Sequence, residues 1–275
     1  MSTAAQRWRE QLTAWAIPDE IVASAPESPY GFITECFRRR GERAVTTGPK
    51  PTTRRALEAL PEGGTVLDVG VGGGGTSLPL AEHAGSILGF DTQPDMLEGF
   101  RDNADRIGIT VETLIGAWPT DADRAPEVDV VVAGHVCYNT AELGAFAEAL
   151  DRHARRRVVV ELTERHPLAW MNDLWLRFHA LERPDGPTAN DAEAVLRELG
   201  VDVGREDWRV SEQHGTAGFA RREEAIHQAR RRLCLPADRD DEIADALGDR
   251  LRLVDGLWDL GPAERDLVTL WWSHA

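Results

Sequence analysis

Cysteine, lysine and tyrosine are scarce in this chain, and each scarcity removes a class of protein. Three cysteines stand among 275 residues. Cys36, Cys137 and Cys234 are far apart, odd in number and free of any C-x-x-C spacing, which excludes a disulfide framework or zinc knuckle and leaves buried thiols as the expectation. Lys50 is the one lysine, beside abundant Ala, Arg, Asp and Gly, a pattern of GC-rich coding rather than of function. No apolar run approaches the roughly 18 residues that span a bilayer, so no membrane partner is expected. Residues 1–16 carry Arg7, Arg9 and Glu10 among apolar positions and do not read as a signal segment; a cytoplasmic location is the expectation. Positive charge is in deficit: the formal net charge is −16. That opposes nonspecific nucleic-acid binding, in which phosphate neutralisation supplies most of the affinity. The arginine runs at 38–40, 54–55, 155–157 and 230–232 lie on or beside helical patterns with acids nearby and read as solvated faces.

Glycine, by contrast, is concentrated. Residues 66–75 read Val-Leu-Asp-Val-Gly-Val-Gly-Gly-Gly-Gly. An apolar strand ends at Asp68, a glycine loop follows, and residues 76–82 have helical character. A second apolar run, Ser86 to Phe90, closes on Asp91. Glycines let backbone approach a ligand that a Cβ would exclude. A helix start behind them would offer unpaired N–H groups and a positive dipole end. An acid after the second strand can accept hydrogen bonds from a ribose diol. Together these predict a nucleotide-type cofactor on a βαβ unit.

Two cofactors fit the loop. Gly70, Gly72 and Gly75 satisfy the dinucleotide pattern G-x-G-x-x-G, with an acid about 20 residues on. Asp68, Gly70, Gly72 and Gly74 satisfy Asp-x-Gly-x-Gly-x-Gly, and in this the chain resembles class I S-adenosylmethionine-dependent methyltransferases. Asp68 discriminates: a carboxylate repels a pyrophosphate and attracts a cofactor bearing an ammonium and a sulfonium. The resemblance continues through Val111–Ile115 leading into Gly116-Ala117-Trp118, Val128–Ala133 opening into Gly134-His135, and Arg157–Leu162 opening into Thr163–His166. Val201–Val203 with Trp208–Val210, and Leu267–Trp272, are candidates for the last two strands.

The resemblance implies an α/β, Rossmann-like seven-stranded methyltransferase sheet, mostly parallel with an antiparallel last strand. It also implies that Asp68 and the Gly70–Gly74 backbone hold the amino-acid end of S-adenosylmethionine. Asp91 and Thr92 would face the ribose. Trp118 or Ala117 would border the adenine, backbone N–H groups of Gly116 and Ala117 would read its edge, and Gly134 would lie at the end of the fourth strand.

The rest of the chain divides into a helical front, residues 1–51, and the cofactor domain, 52–275, with helical insertions near 167–182 and 219–252. Trp8, Leu12 and Trp15 form one helical stripe. Pro18 suits a helix start over Asp19–Ala25. A third helix is predicted over 31–45, and Thr52 or Thr53 could cap Arg54–Leu60. Leu168, Met171, Trp175 and Phe178 give the 167–182 helix a wide apolar face, which reads as core packing or as a wall of the substrate pocket. Helices at 219–233 and 238–251 either cover the substrate side or make a homodimer contact.

Methyl transfer from a sulfonium is an in-line displacement, in which a protein chiefly orients reactants and excludes water. A base is needed only if the acceptor must lose a proton. His135 and His166 follow the fourth and fifth strands, where a base would sit; each can also be a pocket-wall or structural histidine. Tyr138 and Asn139 could orient an acceptor, with Tyr30, Phe32 and Trp170 as further walls. No Asn-Pro-Pro-Tyr-like run, no catalytic cysteine pair and no metal-ligand cluster points to nucleobase, C5-cytosine or catechol-type chemistry. The reading is a methyltransferase for a small-molecule acceptor. An NAD(P)-dependent oxidoreductase and a non-catalytic S-adenosylmethionine-binding protein remain the alternatives.

Overall fold

The computed structural model describes residues 2–31, 34–210 and 218–274; Phe32 lies outside them. In chain order the elements are α1 (Ala4–Thr13), α2 (Asp19–Ser24), α3 (Thr34–Thr46), α4 (Pro51–Leu57), β1 (Gly64–Val69), β2 (Ala84–Asp91), α5 (Pro94–Arg106), β3 (Glu112–Ile115), β4 (Val128–Gly134), α6 (Leu143–His153), β5 (Ala154–Thr163), α7 (Asn172–His179), α8 (Ala189–Glu198), β6 (Gly204–Val210), α9 (Arg222–Arg232), α10 (Asp240–Leu247), β7 (Leu251–Val254), β8 (Leu257–Leu260) and β9 (Arg265–Ser273). Seven strands form one sheet in the order β3-β2-β1-β4-β5-β9-β6, and β7 and β8 form a separate hairpin. β9 runs antiparallel to both of its neighbours, and the other pairs of the seven-stranded sheet are parallel. This is the mostly parallel, seven-stranded α/β sheet that the resemblance implied.

Side-chain alternation explains why both sheet faces are covered. Leu67, Val69, Val131, Ala133, Val158 and Val160 face a core shared with Trp8, Phe146, Leu150, Val195 and Leu196 of α1, α6 and α8. Their sequence neighbours Val66, Val130, Val132 and Val159 face the opposite core, with Ala56 of α4 and Phe100 of α5. A third apolar cluster joins α7, α9 and α10 through Leu174, Trp175, Ile226, Leu233, Ile243 and Leu247, and Ile17 and Ile21 of the α2 region pack on it. The three leading helices therefore go to three places: α1 to the sheet core, α2 to the third cluster, and α3 to α5 and the glycine loop.

The structure departs from the sequence reading at several ends. Residues 76–82 do not form an α-helix; a single 3-10 turn at Leu78–Leu80 follows the loop. A short segment that follows the four glycines at 72–75 and holds Pro79 has too little helix propensity to nucleate one. Thr52 and Thr53 are not caps. The helix starts at Pro51 with Lys50 at its N-cap, because proline suits the first helical position. The 167–182 pattern forms a 3-10 turn at Ala169–Met171 and then α7, shorter than expected. Residues 201–203 precede β6 rather than belong to it. Helix gives way after Leu247, and Leu251 opens the β7–β8 hairpin, which periodicity did not indicate.

Candidate active site

β1, β2, β4 and β5 are parallel neighbours, so their carboxyl ends lie along one edge of the sheet, the side on which open α/β sheets bind ligands. Gly70, Gly72 and Gly74 have φ of +72°, +51° and +82°, a region that side chains rarely adopt. Space is as restrictive as torsion. A Cβ on Gly70 would meet Val136 Cγ1 at 2.1 Å, one on Gly73 would meet the Phe37 carbonyl at 2.0 Å, and one on Gly134 would meet Thr76 Oγ1 at 2.3 Å. The loop after β4 and the body of α3 are thus packed directly on the glycine loop. Asn103 fastens this arrangement by donating to the carbonyls of both Arg38 and Gly73, at 2.8 Å each.

The amides of the loop are largely engaged. Gly70 N and Val71 N donate to Phe90 O, Gly74 N donates to Val71 O, and Gly72 N donates to Asp91 Oδ2 at 3.0 Å. Asp91 Oδ1 accepts Gln93 N at 3.0 Å. Each carboxylate oxygen can accept a second bond, so Asp91 remains able to take ribose hydroxyls. Thr92 beside it is exposed.

Asp68 is the anomaly of the site. It is 1% exposed, and neither carboxylate oxygen has a hydrogen-bond partner. Burial pushes its carboxyl up to about 7, Ser77 opposing and Asp91 adding to the rise. Ser77 lies near enough to favour the charged form, yet its own hydroxyl makes no well-formed hydrogen bond. An acid this buried costs several kcal/mol to leave charged and unpaired. A bound cation would supply the missing partner.

The adenine side differs from expectation. Gly116 N donates to Asp91 O and Ala117 N donates to Asp121 Oδ2 at 2.8 Å, so neither amide is available to read a purine edge. Trp118 is partly buried and packs against the core, edge-on to Phe90 at 5.3 Å and to His153 at 5.0 Å, with its indole N–H on Phe146 O. Asp121, which the sequence gave no reason to select, is the acidic side chain at this turn.

The two candidate bases prove unlike. His135 has φ of +60°, a conformation uncommon outside glycine, though histidine is among the side chains that tolerate it. Its Nε2 lies 2.9 Å from Glu161 Oε1. Glu161 is 5% exposed, and its other oxygen accepts the Thr52 hydroxyl at 2.6 Å. Thr52 in turn meets the Thr269 hydroxyl at 2.8 Å, and Trp208 donates to Thr269 at 3.1 Å. Strand register explains the alignment: Gly134 pairs with Glu161, and Glu161 with Thr269. Burial alone would raise the Glu161 pKa. His135, Lys50 and Thr52 outweigh it and bring the carboxyl down to about 2. Glu161 was missed from sequence; its signal is a lone acid inside the apolar run Val158–Leu162.

His166 belongs elsewhere. It stacks on Trp15 with ring centroids 3.6 Å apart and meets Tyr138 edge-on at 5.2 Å. Burial, then the Arg183 charge, pulls it down to about 3. It is a neutral core ring and not a base for neutral pH. Tyr138 is likewise committed, stacking on Trp8 and donating to Thr163 O at 2.6 Å. Asn139 and Tyr30 are exposed, and Trp170 packs by the hairpin beside Gly261, its carbonyl accepting from Arg250. The structure therefore does not gather Tyr138, His166, Trp170 and Tyr30 into one wall around His135. Nor are all arginine runs solvated faces: Arg231 and Arg232 donate to Gly31 O and Pro29 O, tying α9 to the segment before α3. The three cysteines are free and buried. Among the described residues no helix is long and apolar enough to cross a membrane.

Comparison with known proteins agrees with this geometry. Residues 66–157 match the family described as Methyltransferase domain. A ribosomal protein L11 methyltransferase of Dechloromonas aromatica is 38% identical over 140 residues, covering 49% of this chain and 45% of that protein. A ubiquinone biosynthesis O-methyltransferase of Azorhizobium caulinodans is 35% identical over 92 residues, covering 34% of this chain and 36% of its own length. The chain thus spans less than half of either curated relative. Among solved structures, a putative methyltransferase of Bacillus halodurans superposes with a TM-score of 0.52 at 14% identity, over 81% of this chain and 96% of that one. Magnesium protoporphyrin IX methyltransferase of Synechocystis PCC 6803, solved with bound SAH, gives 0.50 at 14% identity over 97% and 99%. Residues 66–157 thus match a methyltransferase domain, and the sheet around them has the fold of these solved structures.

Proposed function

We propose that the chain is an S-adenosylmethionine-dependent methyltransferase for a small-molecule acceptor. One observation carries the cofactor assignment: a buried acid without a partner at the end of β1, beneath a glycine loop whose amides at Gly70, Val71, Gly72 and Gly74 are already engaged. A dinucleotide pyrophosphate needs free loop N–H groups and a helix N-terminus. Here the loop has few such donors, the turn behind it is one 3-10 turn, and the buried acid would repel the phosphates. An ammonium and a sulfonium reverse each of these objections. Asp68 would hold the amino-acid end, Asp91 the ribose, and Asp121 the purine amine.

When bound, S-adenosylmethionine supplies an electrophilic methyl group for in-line displacement. The chain's own residues orient the acceptor and handle its proton. With Nε2–H donated to Glu161, His135 keeps an open lone pair on Nδ1, the atom that takes the acceptor's proton. Glu161 fixes the ring tautomer and stabilises the imidazolium that results, while Thr52 and Thr269 fix Glu161. Tyr138 and His166 act as structural supports. α3, tied through Cys36, Phe219, Trp258 and Leu260 to the hairpin, covers this region, an arrangement suited to a small acceptor rather than a folded protein surface.

Calorimetric titration with S-adenosylhomocysteine tests the cofactor assignment. Gly72→Val should lose binding at least tenfold, because its φ is +51° and Phe37 lies 3.2 Å from the new Cβ. Gly200→Ala, at an open surface position, should bind as the parent does. Equal affinity in Gly72→Val and the parent would refute it.

A further inference from the structure

Arg40 differs from the other arginines of its run. Arg38 holds Glu35 and Glu42, and Arg39 holds Glu35 and the Gly218 carbonyl. Arg40 makes no hydrogen bond or ion pair to any described residue. Its side chain nevertheless lies inside the site. Its Cγ is 3.7 Å from where a Gly75 Cβ would be, and its guanidinium is 5.3 Å from the Phe37 ring centre. It is only partly buried, and its nitrogens are not among the atoms shut away from solvent without a partner.

The acids around Arg40 are already committed. Glu161 and Asp259 lie within Coulombic reach, but Glu161 is shared between His135 and Thr52, and Asp259 receives Arg252. Arg265 and Lys50 add further positive charge around the same two acids. Burial lowers the pKa of Arg40, and it brings Arg265 down to about 10, where the Arg40 charge acts in the same direction. A chain of net charge −16 thus places the Arg40 charge under α3, within Coulombic reach of the Glu161 that pairs with His135. Among the described residues Arg40 has no hydrogen-bond or ion-pair partner of its own. A guanidinium is planar, always charged at neutral pH and matched to a carboxylate by two parallel hydrogen bonds.

We infer that the methyl acceptor carries a carboxylate and that Arg40 receives it, leaving the acceptor's nucleophilic end toward His135. This rests on the methyltransferase reading for the identity of the ligand as an acceptor. A second carboxylate could reach the same side chain, that of the cofactor's own amino-acid end, so the test separates the two sources.

The test uses the whole protein and its Arg40→Gln and Arg40→Lys variants. Calorimetry measures S-adenosylhomocysteine, then 5′-methylthioadenosine, which lacks the amino-acid end. Benzoate and benzamide, and butanoate and butanamide, are then titrated into the S-adenosylhomocysteine-loaded protein. The parent should bind at least one acid tenfold or more tightly than its amide. Arg40→Gln should abolish that preference while S-adenosylhomocysteine affinity stays within twofold, and Arg40→Lys should keep part of it. Retained S-adenosylhomocysteine affinity also shows that the variant is folded. Absence of any acid-over-amide preference in the parent overturns the proposal, as does its survival in Arg40→Gln. A tenfold loss of S-adenosylhomocysteine with 5′-methylthioadenosine unchanged also overturns it, because Arg40 then holds the cofactor. If the parent binds neither adenosine compound, the methyltransferase reading itself has failed.

Discussion

The ends of β1 and β5 each carry a buried acid, and the two acids behave oppositely. Asp68 is 1% exposed and Glu161 5%, yet one carboxyl is pushed up to about 7 and the other brought down to about 2. Burial penalises both charges alike. The difference is in partners: none for Asp68, and a histidine and a threonine hydroxyl for Glu161. An acid that the fold has fully satisfied is a finished device that holds a neighbouring ring. An acid that the fold has left unsatisfied favours a cation as its partner. His135 and His166 repeat the lesson. Both follow a strand end, but one faces a carboxylate and the other an indole and a phenol.

The contrast can be broken by removing the satisfied acid. Glu161→Ala should cost about 3 kcal/mol, the low end for a broken buried pair because His135 keeps solvent contact. Thermal unfolding should show a loss of roughly 6–9 °C for a chain of this size. The same carboxyl sets an acid limb. Its folded pKa lies below its unfolded value, so its contribution is complete above about pH 4.5 and is lost as pH falls toward about 2. The parent should therefore lose stability over that range more steeply than Glu161→Ala. Parallel curves would mean that Glu161 is not held as described.

The unsatisfied acid gives a smaller effect of opposite sign. The folded pKa of Asp68 is raised, so the native state retains its proton longer than the unfolded chain, and stability falls as pH rises from about 4 to about 7. Asp68→Asn should be more stable than the parent above pH 7, by about 1–2 kcal/mol, well under the 1.36 kcal/mol per unit limit because an amide also wants partners. It should nonetheless bind S-adenosylhomocysteine more weakly. In the parent that affinity should rise with pH up to about 7, since the ammonium favours the ionised carboxylate, and in Asp68→Asn it should be flat. A variant both less stable and equally good at binding would contradict the role assigned to Asp68.

The smallest effect is expected at the second histidine. His166→Phe keeps a ring between Trp15 and Tyr138 and forgoes a long hydrogen bond from Leu168 N at 3.3 Å. The change should cost no more than about 1 kcal/mol and leave S-adenosylhomocysteine affinity untouched. His135→Phe should cost more, since it leaves Glu161 one partner short. Equal unfolding temperatures for the two variants would erase the distinction between the strand ends.

Much of this protein was written locally in its sequence. The glycine run, Asp68 before it and Asp91 after the next strand defined the cofactor end, because backbone torsion and strand-end position are properties of neighbouring residues. Alternating and continuous apolar runs gave the strands, and the antiparallel last strand followed from resemblance. Other features were not legible. The cap assigned to Thr52 failed because that side chain reaches Glu161, 109 residues away. His166 looked equal to His135 because Trp15 and Glu161, which separate them, come from distant segments. Arg40 looked like one member of a solvated run until α3 was laid on the glycine loop. The sequence by itself determined which segments become strands and turns and which cofactor chemistry the loop suits, since those depend on short-range sterics and charge. Only the tertiary structure decided which buried charges find partners and which remain open, because that balance is set by side chains far apart along the chain.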